Sequence, residues 1–128
     1  MSMLDTYRNN LLRKREEAAK LNQDLAKEQA KIAPLQQKII SANAAIGRTK
    51  SASTIKSKLN EIERANKAIA DTQKKVGDIQ KKLAQKEKEI AAAEKTYHNE
   101  ETKVNKKAAD AEKKRIQEAS RQSAALEQ

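Results

Sequence analysis

The stretch that decides the fold is AIGRTKSASTIKSKL, residues 45–59. Runs rich in Lys, Glu, Gln and Ala flank it on both sides, and each run carries an apolar residue at every seventh position. Inside the stretch, Gly47 is followed by small hydroxyl residues, and basic residues occur without an acidic one. A long helical pattern is therefore interrupted here, and the kind of interruption determines the architecture.

The composition narrows the fold to long helices or disorder. The 128 residues include no Cys, Phe or Trp, two Gly and one Pro, and 36% of them are charged. So few large apolar side chains cannot fill a globular core of ordinary thickness. No apolar run reaches the roughly 20 residues that span a bilayer, and the first residues do not resemble a signal peptide. We expect a cytoplasmic protein that has no membrane partner, and the absence of Cys fits a reducing compartment.

Two apolar stripes with a seven-residue period predict helices that form coiled coils. Strands would require alternation with a period of two, which the sequence lacks. The first stripe comprises Leu4, Leu11, Ala18, Leu25, Ile32, Ile39 and Ile46. The second comprises Ile55, Ile62, Ile69, Val76, Leu83, Ile90, Tyr97, Val104 and Ala111.

The two stripes are out of phase, because nine positions rather than seven separate Ile46 from Ile55. In one continuous helix this offset would rotate the apolar face by about 200°, at about 100° per residue. A chain that reverses direction brings both stripes face to face instead. We therefore predict an all-α fold, a long antiparallel helical hairpin with a first helix over 1–46, a turn over 47–54 and a longer second helix over 55–128.

Local residues suggest how the turn and the arms are built. Gly47 is expected to take the left-handed conformation that ends a helix. Ser51, Ser53 or Thr54 is expected to cap the second helix. Pro34 predicts a kink or a local break in the first helix.

The predicted register pairs the stripes residue by residue and sets polar or small residues between the apolar layers. Ile46 faces Ile55 and Ile39 faces Ile62, while the intermediate layers set Ala42 beside Leu59 and Lys14 beside Glu87. Ordering a residue costs roughly 1–2 kcal/mol of backbone entropy, so the few apolar contacts of a single hairpin would give it only marginal stability. We therefore expect self-association, for example of two hairpins side by side, or stabilisation by a neighbouring domain. One unbroken parallel rod, with a contour of about 190 Å at 1.5 Å per residue, is the alternative.

Catalytic chemistry is not indicated by the sequence. His98 is the only histidine, and without Cys or an H-x-x-x-H pair a transition-metal site is not expected. The two glycines lie far apart and form no phosphate-binding loop. We predict a non-enzymatic chain without catalytic, cofactor-binding or metal-binding residues.

A basic cluster at the predicted turn is the alternative functional site. It comprises Arg48, Lys50, Lys56 and Lys58, in a chain whose net charge is +10. Such a cluster could bind a nucleic acid or another polyanion, in a salt-dependent way. No aromatic side chain lies nearby in the sequence to stack on bases, so a solvated turn is the favoured interpretation.

The runs RTKSASTIKSKLNEIERANKAIADTQKKVGDIQKKLAQKEKEIAAAEKTY and MLDTYRNNLLRKREE resemble the N-terminal coiled-coil region of bacterial TIR (Toll/interleukin-1 receptor) domain-containing signalling and defence proteins. The similarity covers most of the chain and is specific in STIKSKL and EIER. It implies an oligomerisation and scaffold module that positions a C-terminal effector domain, in a signalling or antiphage defence protein. The NAD-cleaving domain would lie beyond Gln128, so the resemblance assigns no catalytic residue to this chain.

Overall fold

The chain is almost entirely helical. A computed structural model describes residues 1–127, and Gln128, the predicted last residue of the second helix, lies outside them. The described part consists of α1 (Met3–Gln29), α2 (Ile32–Arg48) and α3 (Ala52–Glu127), and it contains no strand. The predicted all-α class is confirmed, and so is the longer second arm, because α3 has 76 residues whereas α1 and α2 have 27 and 17.

The first arm is two helices rather than one, because the helix is interrupted at Ala30 and Lys31. The Lys31 N–H donates to the Glu28 carbonyl at 3.1 Å, a tightened bond that reaches back three residues instead of four. Pro34, the third residue of α2, explains the place of the interruption. It has no N–H to donate to the Ala30 carbonyl, and its ring crowds that carbonyl.

The connection between α2 and α3 is shorter than the predicted 47–54. It consists of Thr49, Lys50 and Ser51. The prediction that Gly47 ends the helix in a left-handed conformation was wrong, because Gly47 lies inside α2 and the described chain contains no positive-φ glycine. The helix ends at Arg48, and the extended backbone of Thr49, with φ −120° and ψ 151°, terminates it.

Ser51 begins α3 as an N-cap. Its Oγ accepts a hydrogen bond from the Thr54 N–H at 3.3 Å, and its carbonyl accepts the Ile55 N–H at 3.0 Å. The Oγ contact satisfies one of the amide groups that lack a partner in the first turn of a helix, and the carbonyl accepts the first intrahelical hydrogen bond. Of the three predicted capping residues, Ser51 is the one that takes this role. Ser2 caps α1 in the same way, since its Oγ accepts the Asp5 N–H at 3.1 Å.

The fold divides into two compact units. Unit 1 contains Met1–Arg15 and the chain from Glu89 onward, and unit 2 contains Glu16–Lys88. In unit 1 the buried apolar residues are Leu11 and Ala93. In unit 2 they are Ala42, Ala65 and Leu83, and the polar residue Thr72 is buried as well. Most of these side chains are small, so the core of each unit is thin.

The heptad stripes up to Tyr97 lie on the more covered face of the helices. Every stripe residue up to Tyr97 is buried or half-buried. Val104 differs, since 41% of it is exposed. The stripe residues up to Tyr97 are therefore the ones that the fold of each unit covers.

The second buried row of α3 lies one position away from the predicted one. The predicted intermediate residue Leu59, four positions after Ile55, is 54% exposed. The third residue after a stripe member is buried instead, as with Ala65 after Ile62 and Ala93 after Ile90. In a coiled coil the covered residues are alternately three and four positions apart, because this spacing keeps them on one narrow face of the helix. The second row therefore lies three positions after each stripe residue.

Candidate interaction surfaces

Ion pairs link residues that lie far apart in the chain within each unit. In unit 1, Lys14 Nζ lies 2.9 Å from Glu89 Oε1, and Arg15 Nη2 lies 2.9 Å from Glu94 Oε1. In unit 2, Lys86 Nζ lies 2.6 Å from Glu17 Oε2. The predicted contact of Lys14 with Glu87 is thus replaced by one with Glu89. These pairs fix which parts of α1 and α3 meet, because charged side chains at the edge of a contact set its register.

Glu28 is a half-buried carboxylate near the end of α1. Its side chain is 17% exposed, and Lys31 Nζ donates to Glu28 Oε1 at 2.7 Å. This hydrogen bond, together with the charges of Lys31 and Lys75, holds the pKa of Glu28 below its ordinary value of 4.5, although partial burial opposes the shift. The other oxygen, Oε2, is buried and has no hydrogen-bond partner within the described part of the chain.

The four residues of the predicted basic cluster lie on three different elements. Arg48 is the last residue of α2, Lys50 lies in the connection, and Lys56 belongs to the first turns of α3, and all three are exposed. Lys58 is half-buried instead, and its Nζ lies 3.4 Å from Glu61 Oε2. One member of the cluster, Lys58, therefore already has an acidic partner within the chain.

A groove lined by residues of α2 and α3 lies in unit 2. Its volume is about 610 Å³. Apolar residues that line it include Leu35, Ala42, Ala65 and Ala68, and the cations Lys38, Lys58 and Arg64 line it too. This groove was not predicted from the sequence. The signal that could have found it is the set of small residues Ala42, Ala65 and Ala68, whose short side chains leave space between neighbouring helices.

The last part of α3 is a helix exposed on all sides. Every residue from 102 to 127 is exposed. Three large apolar side chains occur in it, with Val104 at 41%, Ile116 at 56% and Leu126 at 88% exposure. We call this segment the overhang. Its internal ion pair joins Arg115 Nη2 to Glu112 Oε1 at 2.6 Å, and the hydrogen bond from Arg115 lowers the pKa of the Glu112 carboxyl.

Other candidate chemistry is sparse in the described residues. The His98 side chain is 71% exposed and lies 3.8 Å from a Glu101 oxygen, on the surface of α3. Across residues 1–127, no three His, Asp or Glu side chains come close enough together to hold a metal ion. Over the same range, no helix combines the length and apolar character that a bilayer crossing requires.

No protein-family model, curated protein or solved structure matches the chain. Three features of the described residues bear on function. These are the thin cores of the two units, the exposed overhang and the groove of unit 2.

Proposed function

We propose that the chain is a non-enzymatic oligomerisation and scaffold module, built as an antiparallel coiled-coil hairpin that self-associates through the overhang. The observation that carries the proposal is the overhang itself, in which every residue from 102 to 127 is exposed while the helix continues without a break. Most helical stability in proteins comes from tertiary packing, because isolated helices are marginal in water. A partner helix is the natural source of that packing.

Two sets of contacts support the hairpin. The ion pairs within each unit join early residues of the chain to late ones, as with Lys14 and Glu89. The buried rows also suit an antiparallel coiled coil, in which a stripe residue of one helix faces the second row of the other. In this register Ile39 faces Ala65 and Ala42 faces Ile62. The groove agrees with it, because Lys38 and Ala42 line the same groove as Ala65.

Spin labels test the reversal of the chain directly. The protein contains no Cys, so Ala19→Cys and Gln85→Cys, both at exposed positions of unit 2, accept labels without further changes. The hairpin places the two labels within about 20 Å of each other, whereas a continuous helix would separate them by about 100 Å at 1.5 Å per residue. Dilution with unlabelled protein identifies the intramolecular distance. A distance near the larger value in the diluted sample contradicts the proposal.

Self-association follows from how little each unit buries. The largest buried side chains are leucines, and the other buried apolar residues are alanines. A fully buried Leu contributes about 1.5–3 kcal/mol, while Ala contributes much less. Pairing of overhangs from two chains would bury apolar surface that is now exposed, such as that of Val104, and it would add apolar contact that the single chain lacks.

A matched pair of double variants tests the overhang. Val104→Glu with Ile116→Glu places charges on its apolar residues. Asn105→Glu with Gln117→Glu makes the same change of charge at neighbouring exposed residues. In sedimentation equilibrium we expect wild type and the Asn105/Gln117 variant to exceed the monomer mass of 14.3 kDa. The Val104/Ile116 variant is expected to sediment as a monomer with its helicity in circular dichroism retained. A wild-type protein that stays monomeric at millimolar concentration contradicts the proposal.

The fused partner that we propose is a C-terminal effector of the TIR type, in a bacterial signalling or defence protein. Support for it comes from the resemblance carried by STIKSKL and EIER in residues 53–64. Fusion of the chain to the N-terminus of an NAD-cleaving TIR domain tests this role. NAD consumption is expected to rise with the wild-type chain and to stay at the level of the isolated domain with the Val104/Ile116 variant. Equal rates for the two fusions would contradict the assembly role.

Binding of a nucleic acid through the basic cluster has less support. Lys58 is engaged by Glu61, and the other three cations are distributed over α2, the connection and α3. Phosphate contacts of this kind need several cations that act together. We therefore favour protein–protein interaction over polyanion binding.

A further inference from the structure

We propose that the groove of unit 2 is a docking site for an acidic amphipathic helix of another protein. This inference is independent of self-association, because it concerns α2 and the start of α3 and not the overhang. The groove lies between two helices and has a volume of about 610 Å³. A space of that size accepts several side chains from one face of a third helix, and amphipathic helices bind grooves in this way.

The apolar lining gives the groove its affinity for a side-chain row. Leu35 is half-buried and Ala68 is half-buried, and both keep part of their surface open to the groove. Ala42 and Ala65 are buried, at 2% and 4% exposure, and their short side chains line the groove but leave its volume open. An apolar row from a third helix would bury this surface, and each Å² of apolar surface removed from water would stabilise the complex by about 25 cal/mol. A phosphodiester backbone has no apolar face to offer it.

The charged lining determines which helix fits. Lys38, Lys58 and Arg64 stand against a single acid, Glu61. Glu61 pairs with Lys58 at 3.4 Å, whereas Lys38 and Arg64 are exposed and have no ion-pair partner within the described residues. Carboxylates that flank the apolar row of a docked helix would meet these two cations, and Arg can hold a carboxylate through two parallel hydrogen bonds.

Charge also argues against a second copy of this chain as the occupant. The overhang is the free helix that a second copy could offer. It is basic, with seven cations against four acids, namely Lys103, Lys106, Lys107, Lys113, Lys114, Arg115 and Arg121 against Asp110, Glu112, Glu118 and Glu127. Like charges placed opposite Lys38 and Arg64 would weaken such a contact. An acidic helix from a different protein satisfies both the apolar and the charged lining.

The test uses three labelled synthetic peptides and the full chain. The first peptide is a 21-residue helix (about six turns) with a Leu row at heptad spacing and Glu on both flanks. The second keeps the Leu row and carries Lys on the flanks. The third keeps the Glu flanks and has Ser in place of Leu. In fluorescence anisotropy we expect binding of the first peptide alone, with affinity that falls as salt rises.

Two double variants with the same change of charge locate the binding. Lys38→Glu with Arg64→Glu alters the groove, and Lys50→Glu with Lys67→Glu alters exposed lysines that do not line it. We expect at least about tenfold weaker binding for the groove variant, and less than about threefold for the control, because loss of distant charge acts only through the screened general field. The neutral pair Lys38→Gln with Arg64→Gln serves if the reversed pair loses helicity in circular dichroism.

Several outcomes overturn the proposal. Binding of the Lys-flanked peptide as tight as that of the Glu-flanked one removes the charge argument, and binding of the Ser peptide removes the apolar one. Equal loss in both double variants places the site elsewhere. Binding of a single-stranded oligonucleotide that displaces the peptide from wild type identifies a polyanion site. A drop in sedimentation mass on Lys38→Glu with Arg64→Glu identifies a second copy as the occupant.

Discussion

Lys14 Nζ and Glu89 Oε1 lie 2.9 Å apart although 75 positions separate the two residues in the chain. Both side chains are only partly exposed, Lys14 at 21% and Glu89 at 33%. Partial burial reduces the screening by water that makes most surface ion pairs ineffective. The pair therefore has the geometry to contribute to the pairing of α1 with α3 in unit 1.

A double-mutant cycle measures that contribution. With Lys14→Met, Glu89→Gln and the double variant, we expect a coupling free energy of about 1 kcal/mol in urea unfolding. The exposed pair of Arg8 and Asp5, three residues apart on α1, is the control and should give about 0.3 kcal/mol. Additive effects of the two substitutions on the free energy of unfolding would show that the ion pair does not contribute to stability.

Adjacent leucines in α1 provide a test of the buried row. Leu11 is 4% exposed and Leu12 is 47% exposed. Leu11→Ala is expected to lower the free energy of unfolding by about 2–5 kcal/mol, because it leaves a cavity in unit 1. Leu12→Ala should change it by less than about 0.5 kcal/mol, as at most surface positions. Thermal or urea unfolding followed by circular dichroism compares the two, and similar losses would contradict the burial of Leu11.

The apolar rows were predictable from the sequence because a heptad period is a direct consequence of helix geometry. The stripe from Leu4 to Tyr97 is buried or half-buried as its spacing suggests. The second row was misplaced by one position, at Leu59 instead of Lys58, since spacings of three and four residues both bring side chains to neighbouring places on a helix. Without the partner helix, the sequence does not select one of them.

The ends of the helices were harder to predict than their faces. Gly47 permits a left-handed conformation but does not require it, so α2 continues past it to Arg48. Pro34 interrupts the arm at Ala30 and Lys31, because its effect acts on the carbonyl four residues earlier. The groove depends on the space between two helices, and no single one of its lining residues predicts that space by itself.

Replacement of Pro34 tests the cause of the interruption. Pro34→Ala provides an N–H that can donate to the Ala30 carbonyl and removes the ring that crowds it. We expect α1 and α2 to become one helix and the protein to gain about 1 kcal/mol of stability, with the newly introduced amide protected from hydrogen exchange. Gln36→Ala, at an exposed position of the same helix, is the control and should gain only about 0.4 kcal/mol or less. A destabilised Pro34→Ala protein would show that the interruption has another cause.

Acid should weaken the protein through Glu28. Its pKa lies below the ordinary value of 4.5 in the folded chain because of the hydrogen bond from Lys31. A lowered folded pKa means that the carboxylate stabilises the fold above pH 4.5 and that this stabilisation is lost as the pH falls through the folded pKa. We expect Glu28→Gln to flatten the dependence of unfolding free energy on pH below that value.

Two further variants control the acid measurement. Lys31→Met removes the same hydrogen bond and should flatten the curve in the same range as Glu28→Gln. Glu112, whose pKa Arg115 lowers, contributes at similar pH, so the comparison is always made against wild type. A Glu28→Gln curve parallel to that of wild type down to about pH 3 would show that Glu28 is equally protonated in the folded and unfolded chain.

The three-residue connection between α2 and α3 has a consequence for how the chain folds. In the proposed hairpin, contacts beside Thr49–Ser51 close the smallest loops and therefore lose the least entropy, whereas Leu11 and Ala93 must close a loop of most of the chain. Folding should start at this connection and proceed toward the termini, so unit 2 acquires native contacts before unit 1. Kinetic measurements on Ile39→Val should then report a slower folding rate, and those on Leu11→Ala a faster unfolding rate.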